Sequence, residues 1–240
     1  MRSAIHATFG KPSEVLTLSD TPMPEPGPGE VRIKMVLASI HNHDLITVAG
    51  NYGTKPELPA IGGSEATGTV DALGAGVTGV KIGQRIAVSG VHGAWAEYFL
   101  AKAASVVPLP DAIDDQTAAQ LLSMPLSALV LLEFVGVQPG QWMIQNAANG
   151  AVAKVVAMIA KSRQINVVNV VRRPDGIAEL EALGIGNVVA SADADWKDQV
   201  RAIVGTHPIV AAVDGVGGQS AGDLLSLLGE NSVLVSFGAM

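Results

Sequence analysis

In the second half of the chain, short runs rich in valine and isoleucine alternate with segments whose apolar residues recur at helical spacing. Parallel strands need long crossover connections, usually helices, and these helices cover both faces of the sheet. The pattern therefore predicts a doubly wound α/β domain with a parallel sheet over residues 116–240. The predicted strands lie in QWMIQNA, INVVNVV, NVVAS, PIVAAVDGVGG and SVLVSFGAM.

Residues 1–115 have a different character. They combine turns rich in glycine and proline, such as PGPG, with the short β-type runs EVRIKMVLASI, ATGTVDALG, QRIAVSG and WAEYFLA. Short strands separated by tight turns indicate a compact β-rich domain. The segment that follows, DAIDDQTAAQLLSMPLSALVLLEFVG, predicts one helix that Asp114 or Asp115 caps and that Gly136 ends.

The composition favours a globular protein whose partner is a small molecule. Hydrophobic residues make up 48% of the 240 residues, and the net charge of −7, with both signs interspersed, disfavours nucleic acids and anionic membranes as partners. Cysteine is absent, which excludes disulfides and thiolate zinc ligands. The N-terminus lacks a signal or transit pattern and no apolar run is long enough to span a membrane, so we expect a cytoplasmic location.

The turn after the first strand of the α/β domain, IQNAANGAVAKVV, is the expected place for a dinucleotide. Only one glycine of the G-x-G-x-x-G pattern remains there, so an ordinary tight turn explains the stretch equally well. The next strand ends in two arginines, where an NAD site would have an acidic residue, and guanidinium groups instead attract a 2′-phosphate. A solvated loop is the alternative for that pair. The residues assigned to NADPH on this basis are Asn149, Gly150, Ala151, Val152, Arg172 and Arg173.

Several motifs resemble the medium-chain dehydrogenase/reductase superfamily in order and spacing. They are FGKPSEVL with PMPEPGPGEVRIKM, then GVTGVKIGQRIAV, then PLSALVLL before VQPGQWMIQNA, and DGVGG before VSFGAM. GNYGTKPELPAIGGSEATG, together with IQNAANGAVAKVVAMIA and INVVNVVRRPD, is most similar to the zinc-free branch, with its mitochondrial-type 2-enoyl thioester reductases and its quinone oxidoreductases. The resemblance covers essentially the whole chain. It implies a GroES-like domain, a Rossmann domain, and cofactor contacts at Phe237, Gly238, Ala239 and Met240. The last strand of the second domain would be left unpaired at the edge of its sheet, which favours aggregation or its cover in a homodimer.

Tyr52 is one of only two tyrosines in the chain, and it lies between Gly50 and Gly53. Reducing a double bond conjugated to a thioester requires a proton at the α-carbon and stabilisation of the charge that develops on the thioester oxygen. A phenol can donate to either atom. By resemblance to the enoyl thioester reductases, Tyr52 has the position of their catalytic tyrosine. The alternative is an aromatic residue that only covers an apolar surface of a cleft.

The residues at the positions of a catalytic zinc site do not form one. Zinc-dependent relatives have a cysteine three residues before an aspartate, and a Gly-His-Glu motif; here these places hold His41 before Asp44, and Ser64 before Glu65. A catalytic zinc needs three good ligands and an open position. We therefore expect no metal, and we interpret IHNHD as a polar turn in which His41 and His43 bond to neighbouring backbone.

Two departures from the resembled reductases leave the function open. Met124 and Ser127 stand where those enzymes often have asparagine and threonine, and the chain ends just after the fifth strand of its second domain, so the Rossmann domain is expected to be cut short. The favoured function is NADPH-dependent reduction of activated double bonds, first of 2-enoyl thioesters. The alternatives are an NADPH:quinone or small-enone oxidoreductase, which needs no dedicated proton donor, and a non-catalytic NADPH-binding protein.

Overall fold

The computed structural model describes residues 1–238 and consists of two compact units, Met1–Ser123 and Met124–Met240. The division that the sequence suggests, between residues 115 and 116, falls slightly earlier, within a short helix of the first unit. Among residues 1–238, no helix combines the length and the apolar character that a bilayer crossing requires.

The first unit is built from two antiparallel sheets, with strand orders β2-β1-β4 and β7-β3-β5-β6-β8. Four of its strands coincide with the four runs that the sequence predicts as strands. The elements are β1 (Arg2–His6), α1 (Pro12–Val15), β2 (Thr17–Asp20), β3 (Glu30–Ala38), α2 (Asn42–Val48), β4 (Ala60–Ile61), β5 (Glu65–Leu73), β6 (Arg85–Ser89), β7 (Tyr98–Lys102), a 3₁₀ turn (Ala103–Ser105), β8 (Val107–Pro108) and α3 (Asp115–Ala118).

One face of the larger sheet covers an apolar core, because buried and more exposed side chains alternate along its strands. In β3, Val31 and Ile33 are fully buried and belong to the same apolar cluster as Phe99 of the adjacent β7 and Ile86 of β6, whereas Arg32 between them is only partly buried. The backbones of β3 and β5 approach so closely at Gly68 that a Cβ there would collide with the carbonyl of Lys34. A side chain at this position would force the two strands apart.

The segment predicted as one helix forms two, α3 and α4 (Ser123–Val135). Asp114 caps α3 and accepts the Thr117 amide at 2.7 Å, as expected for one of the two candidate caps. The prediction of a single helix was wrong because Pro125 has no N–H and its ring would clash with the carbonyl of Leu121 in a continuous helix. Gly136, at φ +64°, follows α4 and confirms the predicted end.

The second unit confirms the doubly wound fold. Its five strands are all parallel, in the order β11-β10-β9-β12-β13, and apolar clusters lie on both faces of the sheet. The connections run outwards in both directions from the central β9, so the switch point lies at the end of that strand. The elements are β9 (Trp142–Gln145), α5 (Ala151–Ser162), β10 (Asn166–Val171), α6 (Asp175–Ala182), β11 (Val188–Ala190), α7 (Trp196–Val204), β12 (Ile209–Asp214), α8 (Gly218–Leu225) and β13 (Val233–Ser236).

Candidate functional site

Tyr52 lines a cavity of about 800 Å³ in the first unit. It lies in the loop between α2 and β4, and its side chain is exposed enough to meet a ligand, at 45%. Gly50 begins this loop at φ +79°, and a Cβ there would lie 2.8 Å from the Cβ of Phe9. Both the left-handed backbone and the close approach therefore require glycine at this position. Gly53 has open space around it and no left-handed backbone.

Three aromatic rings form a row that begins at the cavity with Tyr52 and His43 and ends inside the unit with His41. The ring of Tyr52 is 5.8 Å from that of His43, and His43 stacks on His41 with ring centroids 5.1 Å apart. Nε2 of His43 lies 2.8 Å from Oγ of Ser64, which also lines the cavity. The rings become more exposed from His41 to His43 to Tyr52, so the row leads from the interior to the cavity.

These contacts correct the interpretation of IHNHD as a polar turn. The segment forms the beginning of α2. The His41 side chain accepts the neighbouring Asp44 backbone N–H, as expected, but the histidine rings bond mainly to side chains, with His41 bonded to Glu65 of β5 and Ser39, and His43 bonded to Ser64. A helix forms because the Asp44 carboxylate accepts the backbone N–H of His41 at 2.9 Å, a contact typical of a capping box. The sequence identified His41 and His43 as polar but could not supply their partners.

His41 and Glu65 form a buried ion pair at the inner end of the row. Nε2 of His41 lies 2.6 Å from Oε2 of Glu65, and the other oxygen of Glu65 accepts the backbone amides of Leu122 and Ser123. The bond to Glu65 raises the pKa of His41, although burial opposes this. Burial alone would raise the pKa of Glu65, but the hydrogen bonds from His41, Ser123 and Leu122 together lower it.

In the second unit, the turn after β9 presents the N-terminus of a helix at the carboxyl edge of the sheet. Ala147 adopts a left-handed conformation at φ +47°, and Gly150 precedes the first helical residue without any side chain that could cap it. The first amides of the 12-residue α5 are thus not bonded to a capping side chain, and they lie at the positive end of the helix dipole. This arrangement fits the phosphates of a dinucleotide.

A buried carboxylate that the sequence did not single out holds this edge together. Asp214, the last residue of β12, accepts hydrogen bonds from Asn146 after β9, from the hydroxyl of Ser236 in β13 and from the amide of Gly217. Burial would raise the pKa of Asp214, but these hydrogen bonds outweigh it and lower the pKa. Its position at the end of an apolar run, before GVGG, was the available signal.

The remaining predicted cofactor residues lie along the same edge. Arg172 and Arg173 directly follow β10, and within residues 1–238 the guanidinium of Arg172 has no ion-pair or hydrogen-bond partner, whereas that of Arg173 lies 3.4 Å from Asp175. Phe237 and Gly238 follow β13. Ala239 and Met240 lie outside the described residues. Tyr52 belongs to the other unit.

The described residues also bear on metal binding. Among them, no three His, Asp or Glu side chains converge in the way that a metal site requires. The side chain of Ser64 is bonded to His43, and His41 is bonded to Glu65.

In sequence and in structure, the chain is similar to known dehydrogenases and reductases. Residues 27–111 match the alcohol dehydrogenase GroES-like domain. Over its whole length the chain is 32% identical to human mitochondrial enoyl-[acyl-carrier-protein] reductase, of which it spans 66%. It is similar to a mycobacterial protein solved in complex with NADPH (30% identity, TM-score 0.89, covering 100% of this chain and 74% of that one). It is also similar to a quinone oxidoreductase of Pseudomonas syringae (29% identity, TM-score 0.91, covering 100% and 74%).

Proposed function

Because this chain belongs to the medium-chain dehydrogenase/reductase superfamily, with enoyl reductases and quinone oxidoreductases among its relatives, we propose that it is a zinc-independent, NADPH-dependent reductase of activated carbon–carbon double bonds. Its first substrates are 2-enoyl thioesters. The observation that carries the proposal is Tyr52, a phenol that lines the cavity beside the imidazole of His43. We also propose that the chain forms a homodimer. Light scattering tests this, and we expect a solution mass of twice 24.5 kDa.

NADPH is the cofactor that the second unit fits. The amides at the start of α5, beginning at Ala151, and the small Gly150 before them are suited to the pyrophosphate. The unpaired guanidinium of Arg172 supplies the charge that a 2′-phosphate needs. The similar mycobacterial protein was solved in complex with NADPH, which supports the same assignment. When bound, NADPH supplies the hydride that adds to the β-carbon of the substrate.

Tyr52 has two tasks in this reaction. Its hydroxyl hydrogen-bonds to the thioester oxygen while negative charge develops there, and it then gives its proton to the α-carbon. The O–H bond of Tyr52 breaks, a C–H bond forms, and a phenolate is left. The cavity around Tyr52 is large enough for a small acyl chain.

Quinone reduction is the second candidate, favoured by the similarity to the quinone oxidoreductase of Pseudomonas syringae. A quinone is already electron-poor, and the oxygens of its reduced ring can take protons from solvent. This reaction therefore depends less on one positioned donor than the reduction of an enoyl thioester does.

The test is Tyr52→Phe, assayed as NADPH consumption with crotonyl-CoA and with 1,2-naphthoquinone. Losing one preorganised donor typically costs about 2.7–4 kcal/mol of transition-state stabilisation, so we expect turnover of crotonyl-CoA to fall about a hundred- to a thousandfold. Quinone reduction should fall far less. The affinity for NADPH should hardly change, because the residues assigned to it lie in the other unit.

Tyr98→Phe is the matched control, because it removes the only other phenol of the chain from a strand of the same unit. We expect it to keep the parental rates. Near-parental turnover of crotonyl-CoA by Tyr52→Phe would move quinone reduction into first place. Failure of the parent to bind NADPH or to reduce either substrate would refute the proposal as a whole.

A further inference from the structure

We infer that His43 is the proton-relay residue that acts through Tyr52 and returns a proton to its phenolate after each turnover. The inference rests on the proposed function, because only a Tyr52 that donates its proton needs to be reprotonated. It assigns His43 as a positioning residue that serves the catalytic phenol.

The position of His43 is determined from three sides. Its ring stacks at an angle of 23° on His41, whose own ring is held by Glu65. Its Nε2 is bonded to Ser64 at 2.8 Å, and its Asp44 neighbour on α2 is 3.6 Å from the same nitrogen. The ring centroid of Tyr52 lies 5.8 Å from that of His43, and we place one bridging water between Nδ1 of His43 and the hydroxyl of Tyr52.

The two nitrogens of His43 are therefore not equivalent. Nε2 is bonded to Ser64, whereas Nδ1 has no hydrogen-bond partner among residues 1–238. We assign a ring proton to Nδ1, because the hydroxyl of Ser64 can then donate to Nε2. In this tautomer His43 has a donor available for Tyr52 and an acceptor that faces Ser64.

The relay balances as follows. The Nδ1–H bond of His43 breaks and an O–H bond forms on the Tyr52 phenolate, while the Ser64 hydroxyl transfers its proton to Nε2. Water in the cavity, which Ser64 lines, then returns a proton to the Ser64 oxygen. The net result is one proton moved from solvent to Tyr52, and His43 is left in the opposite tautomer until its ring exchanges a proton with water. No electron is transferred, and no reactant other than water is required.

A structural role for His43 predicts a different response from a relay role. If the ring only supports Tyr52 by stacking, His43→Phe preserves that support and His43→Ala removes it. If the ring carries protons, the two variants lose activity alike, and small imidazoles can restore only the alanine variant, which leaves a space. His207→Phe, at an exposed histidine of the second unit, controls for the substitution itself.

We expect the kcat for crotonyl-CoA to fall about a hundredfold in both His43→Phe and His43→Ala, within the range of general acid–base catalysis. KM and the Kd for NADPH should stay within about twofold of the parent. Added imidazole should raise the kcat of His43→Ala about tenfold and leave that of His43→Phe unchanged. Parental kcat in His43→Phe, or no imidazole rescue of His43→Ala, would overturn the inference.

A spectroscopic readout is independent of turnover. In a long-range ¹H–¹⁵N spectrum of the imidazoles, the signals missing from His43→Phe identify the ring, whose proton should be on Nδ1. Ser64→Ala should shift its Nε2 resonance. A ring protonated at Nε2 would contradict the relay. If Tyr52→Phe reduces crotonyl-CoA as fast as the parent, the proposed function fails; if Tyr52→Phe is slow and His43→Phe is fast, only the relay fails.

Discussion

The ion pair between His41 and Glu65 gives a prediction about stability that does not depend on activity. Glu65 is fully buried, and its carboxylate accepts hydrogen bonds from Nε2 of His41 at 2.6 Å, from the amides of Leu122 and Ser123 at 2.8 and 3.0 Å, and from the side chain of Ser123. Glu65→Ala removes both carboxylate oxygens that accept these hydrogen bonds. Glu65→Gln keeps a carbonyl oxygen for the two amides and removes the charge.

The size of each effect follows from these contacts. Removing one partner of a buried ion pair typically costs about 3–5 kcal/mol, because the other partner is left without compensation. Glu65→Ala also leaves two amides unpaired, so we expect a loss of at least about 4 kcal/mol. Hydrogen bonds to a charged group contribute about 1 kcal/mol more than neutral ones. Glu65→Gln should therefore cost about 2–3 kcal/mol.

Urea denaturation can measure these losses in the first unit alone. Of the three tryptophans only Trp95 lies in that unit, so a background with Trp142→Phe and Trp196→Phe makes its fluorescence specific. Asp111→Asn is the control, because Asp111 is an exposed carboxylate of the same unit, and it should change the free energy of unfolding by less than about 0.5 kcal/mol. Equal losses below about 1 kcal/mol in both Glu65 variants would refute the reasoning.

The pH dependence follows from the two pKa shifts. The pKa of Glu65 lies below its ordinary 4.5, so its contribution to stability is present above pH 4.5 and is lost as the pH falls through the folded value. The pKa of His41 lies above its ordinary 6.5, so its contribution is present below pH 6.5 and is lost as the pH rises through the folded value. The pair should stabilise the protein most between these two pH values. Glu65→Gln should flatten both limbs of the curve of unfolding free energy against pH. A curve like that of the parent in this variant would contradict the assignment of both limbs to the His41–Glu65 pair.

Three further predictions concern the cofactor edge and the metal. Replacing Arg172 and Arg173 by alanine should reduce the preference for NADPH over NADH at least about tenfold, because each charge-assisted contact contributes about 1.5–3 kcal/mol. Titration with both cofactors measures this preference, and equal affinities in the parent would contradict the prediction. Asp214→Asn should destabilise the second unit by about 2–3 kcal/mol and weaken NADPH binding, because a single amide oxygen cannot replace the carboxylate. The fluorescence of Trp142 and Trp196 measures the stability, and titration measures the binding. Dialysis against a chelator should leave the rates unchanged; activity lost there and restored by zinc would show the opposite.

The local pattern of the sequence was enough to predict the fold class and the edge of the sheet on which the proposed cofactor residues meet. Period and length distinguish strands from helices, and alternating strands and helices leave the parallel sheet as the arrangement that buries both faces. Because carboxyl ends of parallel strands share one edge, Gly150, Arg172 and Phe237, which each follow a strand closely, lie on the same edge of the sheet. No knowledge of long-range contacts was needed for this step.

Tertiary structure decided the surroundings of Tyr52. Ser64 lies 21 residues from His43, and Glu65 lies 24 residues from His41; these pairs meet only because the chain returns through β4 to β5 and its preceding residue beside the start of α2. Hydrophobic periodicity describes which face of an element is buried, but it contains no information on which polar side chains meet across elements. Buried polar groups must find such partners, and the packing of the first unit determines which ones they find.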